Sequence, residues 1–168
     1  MTASAKSRVC LFVIALLVLV IAAMGYKFIV AGSVHAGKDG RAVVELAPSE
    51  RALVLKEMRA FVAGLQQISQ ALADEDMQAV AAAARAMGAA KAHDAPRGLL
   101  GKLPLPFKQL AFGVHGGFDA IAQSAANGGT PKQTLTQLAG VLQSCVACHA
   151  QYQLSPDAGA GALSAPPH

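Results

Sequence analysis

No position between residues 9 and 26 is charged, and Leu, Val, Ile, Phe and Ala take most of them. Wound as an α-helix at about 1.5 Å per residue, this run is about 27 Å long, close to the roughly 30 Å of a bilayer's hydrocarbon core. Residues 31–48 are rich in glycine and polar groups and read as a linker. The pattern then turns periodic. Val54, Met58, Phe61, Leu65, Ile68 and Leu72 recur in steps of four and three, a single-faced helix, with Ser49 as its predicted cap and Glu50 in its first turn. Asp74 is the cap expected for a second helix, running through Met77, Val80, Ala84 and Met87. Pro96, Gly98, Pro104 and Pro106 interrupt the chain and predict a loop. Pro106 suits the first position of a third helix, whose face is Phe107, Leu110, Val114, Phe118, Ile121 and Ala125, ending at Asn127-Gly128-Gly129. Thr130-Pro131-Lys132-Gln133 forms a capping box for a fourth helix, expected to bury Leu135, Leu138, Leu142, Cys145, His149 and Tyr152.

Four helices joined by short links predict an all-α fold, an antiparallel four-helix bundle behind an N-terminal transmembrane or signal helix. The expected organisation is an anchor or signal segment over 1–30, a linker over 31–48, the bundle over 49–154 and a flexible tail over 155–168. Composition agrees with helices: 36 of the 168 residues are alanine, the strongest helix former and a poor strand former. No alternating strand pattern and no βαβ unit is visible.

The net charge of +4 first suggests a nucleic-acid partner. Its distribution removes that suggestion. Lys6, Arg8 and Lys27 are unopposed in the first 36 residues, so the remainder carries only +1, and no polyanion-binding face is expected. Lys6 and Arg8 before the apolar run hold that end in the cytoplasm, and Tyr26 and Lys27 follow it as interface anchors. The run is longer than the 7–15 residues usual for a leader's apolar core, which favours a retained anchor in the inner membrane. Val34-His35-Ala36 is an acceptable small-residue cleavage site, so a cleaved signal stays open. Either way the chain after it is exported to the periplasmic side.

Cys145-Val146-Ala147-Cys148-His149 has the spacing of a c-type haem attachment site. Thiols at i and i+3 lie on one side of a helical turn and match the two vinyl groups of a porphyrin, and the adjoining imidazole reaches the iron. A redox Cys-x-x-Cys instead opens a helix in a βαβ setting, where the helix N-terminus lowers the thiol pKa. A zinc site wants four ligands, and the chain has no second cysteine pair. A porphyrin also supplies bulk to an interior short of aromatic side chains. The alanine run 81–84 leaves room for such a plane, or reflects helix propensity alone.

A four-helix chain with this motif near the end of its last helix resembles the cytochrome c prime family, over roughly residues 48–154. The resemblance implies one covalent haem c held by Cys145 and Cys148, with His149 as an iron ligand. Tyr152 stands at the aromatic position three residues after the histidine; Gln153 stands where family members often carry arginine. Some members place a first-helix methionine on the iron and transfer electrons, and Met58 in Leu55-Lys56-Glu57-Met58-Arg59 matches it. A thioether ligand stabilises ferrous iron and raises its potential. Met58 on an apolar stripe also suits simple packing. His115 reads as half-exposed beside the third helix's apolar face, and Arg59 as a surface residue.

The expected function is therefore a monohaem cytochrome carrying single electrons between redox protein partners. It is not expected to be an enzyme, and a homodimer is compatible with the resemblance. Two alternatives stay open: a five-coordinate haem protein binding nitric oxide or carbon monoxide, and a haem-free helical interaction domain with a Cys145–Cys148 disulfide.

Overall fold

The structure is a computed structural model that describes residues 2–92 and 95–156. The predicted tail from residue 157 onward, with His168, and the loop histidine His93 lie outside the described residues. The chain is mostly helical and begins with the apolar helix α1 (Thr2–Gly25), which continues as a π-helical turn over Tyr26–Ala31. Then come β1 (Val34–Ala36), β2 (Ala42–Val44), α2 (Pro48–Ala73), α3 (Met77–Arg85), α4 (Ala89–Ala92), α5 (Arg97–Lys102), α6 (Leu105–Ala126), α7 (Pro131–Gln151) and β3 (Tyr152–Leu154).

The main core is built from the predicted stripes. Ile68 and Leu72 of α2, Val80 and Ala84 of α3, Val114, Phe118 and Ile121 of α6, and Leu138 and Val141 of α7 share one buried cluster. Small side chains on α3, five of them alanine, let it lie close against α2 and α6.

Several boundaries differ from expectation, each for a local reason. Ser49 does not cap α2: Pro48 already occupies its first turn, and the Glu50 carboxylate accepts the Ala47 backbone N–H at 2.7 Å. Asp74 does not cap α3. It ends α2, Glu75 turns the chain at φ +56°, and Asp76 accepts the Ala79 N–H at 2.9 Å. That helix stops at Arg85, short of Met87, and α4 restarts where Asp119 accepts the Ala89 N–H at 2.9 Å. Within the predicted loop, α5 forms between the proline breakers, and α6 starts at Leu105 with Pro106 inside its first turn.

On α7 the Thr130 hydroxyl accepts the Gln133 N–H at 3.2 Å, as the capping box predicts. Its buried stripe, however, is Thr134, Leu138 and Val141; Leu135, Leu142 and His149 are exposed, and Tyr152 lies beyond the helix in β3. Gly117 of α6 gives Val141 room on this face: a Cβ there would stand 2.5 Å from Val141 Cγ2. The helix turns that face inward.

The predicted linker is folded. β1 pairs antiparallel with β2, and β2 pairs parallel with β3, in the register Ala42–Tyr152, Val43–Gln153 and Val44–Leu154. Ser155 continues this contact by donating its N–H to the Val44 carbonyl at 2.9 Å and is buried, so the chain is still ordered there. The sheet ties the end of α7 to the segment before α2. Val44, Val54, Leu99, Leu103 and Phe107 form a second cluster beneath it.

Candidate functional site

A cleft opens where the two clusters meet. Its space, open solvent at the mouth included, is about 860 Å³, and Met58, Cys145, Cys148 and His149 all line it. Met58 and the distant Cys145–His149 motif thus face one space.

Each is placed by its element. Cys145 and Cys148 are half-buried on the cleft side of α7, Cys145 against the main core and Cys148 against the second cluster. Both are free thiols. Burial pushes both above the usual thiol range, and the neighbouring Cys145 adds to the effect on Cys148. A disulfide-exchange enzyme needs the reverse, a thiolate stabilised near neutral pH. His149 lines the cleft from its exposed rim. Met58, half-buried on α2, enters through the second cluster.

The remaining walls were not legible as a site. Leu99, Leu100 and Leu103, in and just after α5, and Phe107 at the start of α6 close one side; Phe61 and Val114 close another. Phe107 meets Tyr152 edge-on, with ring centroids 5.2 Å apart. This contact fixes the residue that follows the histidine by three.

His115 is a correction. It is 5% exposed, not half-exposed. Its Nδ1 lies 2.8 Å from the Met87 carbonyl and its Nε2 3.3 Å from Glu57 Oε1. Both neighbours are acceptors, and a neutral imidazole has one N–H to offer. The Glu57 contact, with the backbone bond in support, raises its pKa against the opposing effect of burial. His115 and Glu57 line this cleft and also an adjoining one of about 940 Å³.

Arg41 occupies the edge where Gln153 stands. Its guanidinium reaches the Gln153 side-chain oxygen and the His149 carbonyl at 3.4 Å each, and Asp39 holds it at 2.6 Å. Nothing in the sequence pairs position 41 with 153; the parallel β2–β3 contact does.

Among the described residues no three His, Cys, Asp or Glu side chains gather as a metal cluster. A haem iron asks less of the chain, since the porphyrin supplies four nitrogens and the protein one or two axial ligands. The donor set and walls fit that group: two thiols on one helical side, an adjacent imidazole, a thioether on another helix, and mostly apolar walls. Comparison of the chain with family models, curated proteins and solved structures finds no match.

Proposed function

We propose that the protein is a c-type monohaem cytochrome of the cytochrome c prime kind that transfers single electrons on the periplasmic side of a bacterial inner membrane. The observation that carries this reading is the one cleft shared by Cys145, Cys148, His149 and Met58. In this reading α2, α3 with α4, α6 and α7 are the members of an antiparallel four-helix bundle, supported by the core shared by α2, α3, α6 and α7. The domain divisions then keep their sense, with the predicted linker contributing β1 and β2 to the body.

Haem, when bound, supplies an iron centre that takes up and releases one electron. The chain's own residues hold and tune it. Cys145 and Cys148 anchor it to α7, so it stays in place through repeated turnover. His149 offers an imidazole nitrogen from the rim, and Met58 offers its sulfur from α2. Leu99, Leu103, Phe107 and Phe61 keep water away, which favours the less charged ferrous state. Electron transfer of this kind asks no residue to transform a substrate.

The test is the visible spectrum of the full-length protein, made with a haem-attachment system and taken ferric and then reduced. A low-spin spectrum that turns high-spin in Met58→Ala is the expected result and supports electron transfer. A high-spin spectrum in the unmutated protein removes Met58 from the iron and favours nitric oxide or carbon monoxide binding. Absence of haem leaves the helical interaction domain.

A further inference from the structure

The apolar helix does not end where the body begins. Ser7–Ala31 is 25 residues long, and its most apolar 18-residue stretch has no buried residue. A secretory leader's apolar core runs to about 7–15 residues. Leu11, Phe12, Leu19 and Ile21 are each more than 60% exposed, a surface that lipid hydrocarbon satisfies and water does not.

The junction is built, not slack. Lys108 donates from its Nζ to the carbonyls of Phe28 and Ile29 at 3.1 and 3.0 Å, and Lys27 Nζ donates to the Gly32 carbonyl at 2.6 Å. Phe28 lies against Gly101 of α5, where an added Cβ would stand 3.3 Å from its ring. Gly32 takes φ +66° and is pressed on the turn after α5; a Cβ there would stand 2.5 Å from the Lys102 carbonyl oxygen and 2.6 Å from the Pro104 nitrogen. Ser33 donates its N–H to Lys102 at 2.7 Å and accepts from the Glu45 N–H at 2.9 Å. Val34, His35 and Ala36 are then the whole of β1.

Cleavage after Ala36 would therefore remove a strand of the body together with the helix. It would strip one edge of β2 and undo the packing of Gly32 on the turn after α5. We infer that the N-terminal helix stays in the mature protein as a membrane span, joined without a flexible tether to the body that carries the cleft. Its partner is the hydrocarbon of a lipid bilayer. The body stands on the bilayer surface through α5 and the start of α6. The inference draws on export of the chain and not on haem.

The experiment uses the full-length chain expressed in a bacterium with a haem-attachment system. The intact mass of the membrane-fraction protein is measured, then the detergent-solubilised protein is exposed to a protease of broad specificity. The expected result is a mass that includes residues 2–36 and no early cut between residues 26 and 46. Gly32→Val, which cannot seat on Lys102–Pro104, should become cleavable at the junction several-fold faster. A mass beginning at Gly37 overturns the inference. So does a rapid cut within residues 31–37 that frees an intact body, or a Gly32→Val variant as resistant as the parent. The absorbance of the same sample reports on haem separately.

Discussion

His115 of α6 and Glu57 of α2 face each other with Nε2 and Oε1 3.3 Å apart, while the other ring nitrogen lies 2.8 Å from the Met87 carbonyl. An imidazole between a carboxylate and a carbonyl is best satisfied when both nitrogens carry protons. The contact joins α2, α6 and the end of α3 beside the cleft. It is also a source of pH dependence.

The folded pKa of His115 is raised, with Glu57 the largest cause. Below the ordinary value of 6.5 the ring is protonated in folded and unfolded chains alike, and its stabilisation is fully present. As pH rises above 6.5 the unfolded chain loses its proton first, and the stabilisation is lost through the raised folded value. The melting temperature of the full-length protein should therefore fall as pH climbs from 6 to 8. Glu57→Gln should flatten that fall. An unchanged slope in Glu57→Gln would show that this pair does not govern it.

Gly117→Ala sets two effects against each other. Alanine in a helix interior gains about 1 kcal/mol over glycine. The new Cβ would meet Val141 Cγ2 at 2.5 Å, and overpacking of a fitted core costs about 1–3 kcal/mol. The clash outweighs the helix gain, so the variant should lose about 1 kcal/mol. Denaturant unfolding checks this; a stabilised variant would mean that Val141 turns aside freely.

Thr134 is fully buried on α7, and its hydroxyl has no hydrogen-bond partner among the described residues. An unsatisfied buried polar group costs about 1–3 kcal/mol, and valine has the same shape without it. Thr134→Val should gain about 1 kcal/mol, or about 2–4 °C in Tm for a chain of this size. A loss of stability would mean that the hydroxyl is paired in solution.

Helical periodicity made most of the body legible. The stripes from Val54 to Leu72 and from Phe107 to Ala125 face inward because steps of three and four leave one side apolar whatever lies opposite. The stripe of α7 misled, because Leu135 and Leu142 are as apolar as Leu138 and the face that turns in depends on what lies opposite, such as the room Gly117 leaves for Val141. The sheet was invisible for a related reason: three-residue strands carry no period, and the β2–β3 pairing joins positions more than a hundred residues apart. The four proposed haem contacts were read one by one from spacing and resemblance. What the sequence did not contain was their common cleft, with α5 as its wall, or the buried state of His115.

The central claim is that Cys145 and Cys148 hold a haem covalently in this cleft. Its most direct test is the intact mass of the full-length protein, made with a haem-attachment system and then extracted with acidified organic solvent. The account predicts that the mass includes one haem after extraction and loses it in the Cys145→Ala, Cys148→Ala double variant. A parent protein whose mass is that of the polypeptide alone would contradict it.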